Sequence, residues 1–541
     1  MTAPTIAAGG ARPASRPTAE SQLAGLAHLQ RIAVEQSTRA MSQVVAPGPI
    51  TIPFERVHDA VPGADLAHGD GRHRVGGARR RDQARLAPGQ ERDGDLARWR
   101  AERRAGPALV TAVVGLAGLA AWGLHHAWEV LEAGEGRRLP FAWAYGFVFA
   151  LLAWQMTAAC LERPVRGRRG TGRLMTAVAV PVFNEDPVLL ARCLDSLLSQ
   201  SRRPDLVLVT DDGSAVDYSR VRAEFEAAAT AAGVAAHWVR FPANRGKRHA
   251  HAAAFRGAPQ ADIFVTVDSD AILDYYAIAE GLKPFADPAV QSVAGLLLVA
   301  NHRRNLLTRA TELWYVTSEL ADRSAQSTFR SVLVNTGTFA LYRAGVIRDG
   351  LDAYVSETFF GRPVQFSDDS MLTFFALLAG KAVQQPTAIG FTAMPETLSH
   401  HVRQYLRWMR GMTIRTFWRF RYLPLNGYAY WWHMFRWVQA FTTIPLFLTV
   451  MVAEPAIRGT WSPEVAVVMV LVGYGRSLRY LTIRRYDEPW WSQLLTWLLA
   501  PLVAAWQYTV LRGVWWYGMA TCLRTGWGTR QHGVEVALEP A

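Results

Sequence analysis

The chain has 541 residues, of which 50% are apolar and only 19% are charged, and its formal net charge is +13. The length is enough for a catalytic domain and further segments, while the low charged fraction and the clustered apolar residues argue against a wholly soluble protein. Arginine supplies nearly all of the positive charge, a pattern more typical of a GC-rich genome than of a nucleic-acid partner. Cys160, Cys193 and Cys522 show no CxxC or Cys/His spacing, which excludes a disulfide scaffold and a zinc site.

Residues 1–106 are basic, rich in Ala, Gly and Pro, and poor in aromatic residues. Such a segment buries too little apolar surface to offset its ordering entropy, so we predict that it is mostly disordered, with one short helix at 22–45. A charged region followed by an apolar one does not occur at its start, so the pattern does not predict a signal peptide.

Two uncharged apolar stretches follow, at Pro107–Leu124 and Pro140–Cys160. Each is long enough to cross a hydrocarbon core of about 30 Å, and two buried helices of a soluble domain are the alternative. Arginine clusters precede the first stretch and follow the second, so the positive-inside rule places both flanks in the cytoplasm. We therefore predict two transmembrane helices within 107–160, with the loop 125–139 outside.

Residues 161–400 alternate strand-like and helix-like segments. Apolar runs at 174–182, 206–210 and 263–267 predict buried strands, and a helix is predicted at 187–199. This alternation favours a mostly parallel sheet that is covered by helices on both faces. Ligands of such sheets bind at the carboxyl ends of the strands, where we expect the functional site.

Acidic residues follow each of these strands, namely Glu185, the pair Asp211 and Asp212, and the pair Asp268 and Asp270. The last two are separated by one serine, an arrangement that can bind Mg²⁺ or Mn²⁺ together with phosphate oxygens. Because aspartate is also common in turns, a purely structural role is the alternative for this pair and for the preceding one. The functional interpretation of the preceding pair is contact with a nucleoside.

Two further segments carry candidate residues. The loop at 244–247 ends in Lys247, one of only three lysines, which is placed to meet diphosphate oxygens or else belongs to a solvated basic loop. Asp368 and Asp369 precede an apolar helix, and either of them could simply cap it. Each of these motifs has a structural explanation alone, but their joint order and spacing favour a functional one.

Residues 401–427 interleave arginine with aromatic residues, which is typical of an amphipathic helix in the membrane interface. In the C-terminal part, 428–541, Tyr428–Ala453 and Pro463–Tyr474 are two more candidate transmembrane helices. Trp491–Ala520 is too long for one upright helix at about 1.5 Å per residue and too short for two ordinary ones. A tight hairpin is the preferred interpretation of this last segment, and one long tilted helix is the alternative.

The motifs together resemble those of the processive family 2 glycosyltransferases, which include cellulose, chitin and hyaluronan synthases. The resemblance covers about residues 105–532. Its most specific element is the Gln-x-x-Arg-Trp pattern of Gln404, Arg407 and Trp408, which alone suggests only a membrane anchor. Hyaluronan synthases are the most similar members, because they also carry an acidic pair like 368–369 and a Trp-Gly-Thr element like the one within 526–530.

Two departures from the hyaluronan synthase pattern bear on the sugar. The acceptor-side Ser-Gly-Pro of that family is replaced by Asn335-Thr-Gly-Thr, and Ser370 and Met371 stand where Arg-His usually follows the acidic pair. The resemblance therefore leaves a homopolymer of the chitin or cellulose type open beside a copolymer. A non-processive membrane glycosyltransferase acting on a lipid, and a catalytically dead scaffold, are the remaining alternatives.

The resemblance implies an α/β GT-A catalytic domain, which is Rossmann-like, inserted between transmembrane α-helices. The implied catalytic residues are Asp369, Asp368, Arg407, Trp408 and Gln404. The implied substrate-binding residues are Glu185, Asp211, Asp212, Lys247 and Asp268. The implied ligands of Mg²⁺ or Mn²⁺ are Asp268 and Asp270.

In that family's mechanism, Asp369 would deprotonate the acceptor hydroxyl as it attacks the donor, which inverts the anomeric carbon. Lys247 and Arg407 would stabilise the leaving diphosphate, and Trp408 would form a floor under the acceptor sugar. The expected partners are a UDP-sugar donor (UDP-GlcNAc and/or UDP-GlcA), a growing polysaccharide and the lipid bilayer. The expected location is the plasma membrane, with the catalytic domain in the cytoplasm.

Overall fold

The computed structural model describes residues 99–103, 118, 125, 139–167, 174–448, 452–459 and 463–526. Most of the predicted disordered segment, including the short helix at 22–45, lies outside these residues. So do nearly all of the first predicted span and the Trp-Gly-Thr element, of which only Gly526 is described.

The described elements are numbered in chain order. The strands are β1 (Ala101–Arg103), β2 (Thr176–Val182), β3 (Leu206–Asp211), β4 (Ala235–Arg240), β5 (Ile263–Val267), β6 (Ala271–Leu273), β7 (Val290–Val299), β8 (Phe339–Arg343), β9 (Thr358–Phe359), β10 (Arg362–Pro363), β11 (Lys381–Thr392) and β12 (Ile483–Arg485). The α-helices are α1 (Leu139–Leu161), α2 (Pro187–Leu198), α3 (Ser219–Ala232), α4 (Lys247–Gly257), α5 (Ala277–Leu282), α6 (Leu306–Thr317), α7 (Ser324–Thr328), α8 (Ala344–Val355), α9 (Asp368–Ala379), α10 (Leu398–Tyr422), α11 (Tyr428–Leu448), α12 (Glu454–Arg458), α13 (Pro463–Ser477), α14 (Trp490–Leu498), α15 (Ala500–Trp506) and α16 (Arg512–Ala520). Short 3₁₀-helices span Lys283–Ala286 and Leu478–Thr482, and π-helical turns span Ser318–Arg323 and Gln507–Leu511.

Eight strands form one mixed sheet in the order β4-β3-β2-β5-β8-β7-β11-β6. The first four are mutually parallel, which confirms the prediction for the alternating segment. In the other half, β8 runs antiparallel to β5 and β7, and β6 runs antiparallel to β11. The prediction of a mostly parallel sheet therefore holds only for the first half, where each strand is followed by a crossover helix.

Strand β2 shows why the three predicted strands are continuously apolar. Val178 and Val180 pack in the core on one face of the sheet, whereas Ala177 and Ala179 pack in the core on the other. Since successive side chains of a strand point to opposite faces, a strand that is covered on both sides has no solvent-facing positions. The carboxyl ends of β2, β3 and β5 consequently meet at one edge of the sheet, as expected.

The boundary of the predicted disordered segment is wrong at its C-terminal end, because residues 99–103 are ordered. Strand β1 pairs antiparallel with β12, nearly 400 residues later in the chain. Trp99 is buried against the ring of Phe391, with 5.4 Å between the ring centroids. The stabilising partners lie in β11 and β12, so the local composition of this segment gave no sign of them.

The C-terminal helices pack against the catalytic part of the chain. Helix α10 spans most of the predicted interfacial segment and packs along α16. The preferred hairpin at 491–520 is wrong, since the chain bends by only 45° between Leu498 and Ala500. Pro501 lies in the first turn of α15, where its missing N–H is tolerated, and it accounts for the break.

Within the described ranges, no single helix combines the length and the apolar composition that a membrane crossing requires. The bent pair Trp490–Leu498 and Ala500–Ala520 meets both requirements when it is taken together. The predicted spans at 140–160, 428–453 and 463–474 correspond to α1, α11 and α13, and their membrane placement stays a prediction.

Candidate active site

A cavity of about 670 Å³ lies at the carboxyl edge of the sheet. It is bounded by the strand ends of β2, β3 and β5, by the loop 335–338, by the start of α9 and by one face of α10. Of the predicted site residues, those that line it are Asp212, Lys247, Asp268, Asp270, Asp368, Asp369, Gln404, Arg407 and Trp408. The fold thus brings nine of the eleven together, although the first and the last are separated by almost 200 residues.

Glu185 and Asp211, the other two, lie beneath the cavity wall and not on it. Glu185 is 1% exposed, and its Oε2 accepts a hydrogen bond of 2.8 Å from the hydroxyl of Ser269. Asp211 is equally buried, and its Oδ1 accepts a hydrogen bond of 2.9 Å from the backbone N–H of Ser214. This is the turn geometry that the structural alternative describes, and contact of either carboxylate with a nucleoside stays a prediction.

Asp212 joins two motifs that are 33 residues apart. Its two carboxylate oxygens accept hydrogen bonds from the backbone N–H groups of Arg245 and Gly246, at 2.7 and 2.8 Å. Burial raises the pKa of Asp212, and these two N–H groups partly offset that rise. Gly213 permits the arrangement, because it adopts φ +74° and a Cβ there would lie 2.5 Å from the backbone of Ala243.

Lys247, at the start of α4, lies between two carboxylates. Its Nζ is 2.6 Å from Oδ1 of Asp268 and 3.1 Å from Oδ2 of Asp368. Burial lowers the pKa of Lys247, but the two carboxylates outweigh burial and raise it above the ordinary lysine value. Burial likewise raises the pKa of Asp368, and Lys247 outweighs it and holds that carboxyl below its ordinary value. The pair is therefore charged at neutral pH.

Asp369 differs from its neighbour in environment and in pKa. It lies in the first turn of α9, whose N-cap is Ser367 and not an aspartate, and no side-chain hydrogen bond caps the helix. Burial and the adjacent Asp368 raise the pKa of Asp369 to about 6. Two neighbouring carboxyl groups with pKa values displaced in opposite directions are typical of acid–base sites.

Gly337 marks the point where these groups converge. A Cβ at this glycine would lie 3.5 Å from the Cβ of Asp369, 3.5 Å from Nζ of Lys247 and 3.8 Å from Oδ2 of Asp268. Thr338, the next residue, donates a hydrogen bond of 3.3 Å from its hydroxyl to Asp268. The segment in which the chain departs from the hyaluronan synthase pattern therefore lies at the centre of the site.

Helix α10 contributes Gln404, Arg407 and Trp408 to the cavity wall. The indole ring of Trp408 stacks on that of Trp314 from α6, with centroids 6.3 Å apart and an interplanar angle of 23°. Tyr315 contacts the same indole at 6.1 Å. Aromatic faces of this kind pack well against the C–H faces of sugar rings, and the stacking holds Trp408 in place.

A buried ion-pair network fixes the segment that precedes Asp368. Glu357 receives both guanidinium nitrogens of Arg415, at 3.0 and 3.1 Å, and lies 2.6 Å from Arg248. Burial would raise the pKa of Glu357, but the two arginines lower it to about 2. Because Arg415 also donates to the hydroxyl of Ser370 at 3.2 Å, the network connects α4 and α10 to the start of α9.

Sequence reasoning missed several residues of this site. Trp314 and Tyr315 sit in a helical stretch with no recognisable motif, and Gly337 was considered only as part of a changed tetrapeptide. Glu357 lies in a loop between α8 and β9 that carries no local signal. An unexplained acidic residue in an otherwise apolar neighbourhood was the only available indication for it.

Asp268 and Asp270 fit a divalent cation with oxygen ligands. Among the residues that the structure describes, no three His, Cys, Asp or Glu side chains are grouped so that they alone could hold a metal ion. Mg²⁺ commonly binds through one or two carboxylates and completes its shell with phosphate oxygens and water, which matches a pair of aspartates beside a phosphate-binding lysine.

Comparison with known proteins places this site in a family context. Residues 173–411 match the family model described as glycosyltransferase like family 2. The chain is 30% identical over 393 residues to a hyaluronan synthase of Streptococcus pyogenes, and the match covers 72% of this chain and 90% of that protein. It is 35% identical over 244 residues to an N-acetylglucosaminyltransferase of Rhizobium meliloti, covering 44% of this chain and 56% of the relative.

Among solved structures, a mannosyltransferase from Pyrobaculum calidifontis in complex with GDP-Man and Mn²⁺ aligns with 68% of this chain and 96% of its own. The sequence identity is 19% and the TM-score is 0.47. The TarS protein of S. aureus, residues 1–349, aligns with a TM-score of 0.33 and 15% identity.

Proposed function

This chain belongs to the family 2 glycosyltransferases and is related to hyaluronan synthases, and we propose that it is a processive, inverting polysaccharide synthase. It takes UDP-sugars as donors, extends a β-linked polymer and moves that polymer across the membrane. The observation that carries the proposal is the convergence of Lys247, Asp268 and Asp369 around Gly337, in a cavity that Trp408 also lines.

The donor end of the cavity is the strand edge around Asp212 and the loop 244–247. There, the uridine lies against Asp212, and Lys247 meets the diphosphate with fixed positive charge in a site that partly excludes water. Mg²⁺ or Mn²⁺, held by Asp268 and Asp270, supplies further charge that stabilises the leaving diphosphate. Arg407, which lines the same cavity from α10, adds to this positive environment.

The acceptor end contains the base and the aromatic floor. Asp369 accepts the proton of the acceptor hydroxyl, and its raised pKa of about 6 keeps it largely ionised yet basic at neutral pH. Attack from the face opposite to the diphosphate inverts the anomeric carbon. Trp408, backed by Trp314, supports the acceptor ring, and Gln404 lines the wall one turn earlier on α10.

We also propose the membrane placement that the arginine clusters predict, with residues 161–427 in the cytoplasm, where UDP-sugars are made. In intact cells of a cysteine-free background, a cysteine at Ala133 should react with an impermeant thiol reagent. A cysteine at Ser219, in α3, should react only after the cells are opened. Labelling of Ser219→Cys alone in intact cells would contradict this orientation.

A test of the product uses the purified protein in lipid vesicles, given each UDP-sugar separately and then in combination. We expect long polymer only with UDP-GlcNAc and UDP-GlcA together, and we expect hyaluronidase to degrade it. Polymer from UDP-GlcNAc alone would indicate a chitin-type synthase, and polymer from UDP-glucose alone a cellulose-type one. Transfer of one sugar to a lipid would contradict processivity.

A further inference from the structure

Arg419 is a buried cation at the cavity wall. It lies on the same face of α10 as Arg415, one turn further along, and is only 3% exposed. Its Nη2 donates a hydrogen bond of 2.7 Å to the backbone oxygen of Leu333. Its Nε has no hydrogen-bond partner, and no carboxylate of the described residues forms an ion pair with it.

Three other cations of the cavity wall are neutralised within the chain. Lys247 pairs with aspartates, as described above, Arg323 lies 2.8 Å from Glu319, and Arg415 is bound by Glu357. Arg419 differs from these three, since burial and the nearby Arg415 lower its pKa to about 9 and no anion compensates. A buried charge without a partner destabilises a fold, so its presence in a cavity indicates that a ligand supplies the counter-charge.

The position of Arg419 identifies which anion this is. The diphosphate belongs at Lys247, at the other side of Asp369, and is already provided with cations. Arg415 contacts Ser370, the residue next to Asp369, and one further turn of α10 is about 5.4 Å. Arg419 therefore faces the space where the sugars react, and a guanidinium is well suited to bind a planar carboxylate through two hydrogen bonds.

We propose that Arg419 binds the carboxylate of a uronosyl unit, either in the UDP-glucuronate donor or at the end of the growing chain. This inference rests on the proposed function and narrows it, because a synthase of uncharged homopolymers has no use for such a group. It makes Arg419 the residue by which the site distinguishes a uronate from the otherwise similar glucose.

The test compares Arg419→Gln with wild type in phosphatidylcholine vesicles, which carry no anionic headgroups. Arg421→Gln is the matched control, because Arg421 lies on the same helix and is exposed. The measured quantities are kcat/KM for UDP release from UDP-glucuronate and from UDP-glucose, and the rate of GlcNAc transfer to uronate-ended chains. Loss of hydrogen bonds to a charged group predicts a reduction of about 10- to 100-fold in the first or the third quantity.

A donor site lowers the selectivity for UDP-glucuronate over UDP-glucose, whereas an acceptor site lowers only the extension of uronate-ended chains. Release of UDP from UDP-GlcNAc alone should change little in either case. Unchanged selectivity and extension in a wild type that makes copolymer would overturn the carboxylate site, as would an equal loss with every sugar. The thermal midpoint of Arg419→Gln should equal or exceed that of wild type, and a large drop would assign Arg419 a purely structural role. Long polymer from UDP-GlcNAc alone by wild type would overturn the proposed function itself.

Discussion

The donor end and the acceptor end of the cavity are assembled in different ways. At the donor end, Asp212, Asp268 and Asp270 follow β3 and β5 directly, so each is delivered by the strand before it. At the acceptor end, Gly337, Asp369 and Trp408 come from a loop, a helix start and the middle of α10. The first arrangement needs only a parallel sheet, whereas the second depends on long-range packing that holds α9 and α10 together.

Removal of divalent cations should have the largest effect, and it tests the donor end alone. Excess EDTA should reduce synthesis to background, because the carboxylates of Asp268 and Asp270 bind oxygen-preferring cations that the leaving diphosphate requires. Added Mg²⁺ or Mn²⁺ should restore the activity of wild type but not of Asp270→Asn. Full activity in EDTA would remove the metal from the donor end.

Substitution of the base should separate the two ends. Asp369→Asn should reduce polymer synthesis by about 10²- to 10⁴-fold, the range of a lost general base, while UDP binding measured by calorimetry is retained. The retained binding is expected because the donor contacts lie on other elements. Asp217→Asn, an exposed aspartate before α3, is the control and should be unaffected. Near-normal synthesis by folded Asp369→Asn would require another base.

The buried network of Glu357 is the packing on which the acceptor end depends. Glu357→Gln leaves Arg248 and Arg415 without their counter-charge, which should lower the free energy of unfolding by about 3–5 kcal/mol. The exposed pair of Arg220 and Glu224 is the matched control, and Arg220→Gln should cost less than about 0.5 kcal/mol. Denaturant unfolding of both variants measures the difference, and equal effects would contradict the role of the network.

The same carboxyl gives the network a pH dependence. Glu357 has a folded-state pKa lowered to about 2, so its contribution is complete above its ordinary value of about 4.5 and is lost as the pH falls toward 2. Wild type should therefore lose more stability than Glu357→Gln between pH 5 and 2. Parallel losses in the two proteins would show that Glu357 is not ionised in the folded state.

The smallest expected effect is the pH profile of the reaction at its acid side. Asp369 must be ionised to accept a proton, and its pKa is raised to about 6. The value of kcat/KM should therefore fall as the pH drops through 6, by about tenfold for each further unit. An acid limb near pH 4 in wild type would assign the proton acceptor to a carboxyl without this raised pKa.

The sequence by itself determined the first half of the sheet and the residues at its edge. Strands β2, β3 and β5 begin and end within two residues of their predicted bounds, because a strand that is buried on both faces must be continuously apolar. The acidic residues that follow such strands have little freedom of position. This local rule is the reason that Asp212, Asp268 and Asp270 could be placed at the cavity before the fold was known.

Only the tertiary structure decided the rest. It placed Glu185 and Asp211 under the wall, because Ser269 and Ser214 bind their carboxylates there. It joined Glu357 to arginines 109 residues before it and 58 residues after it, and it buried Trp99 against a strand from the far side of the domain. Such contacts depend on which distant segments meet, and no periodicity or spacing within a segment carries that information.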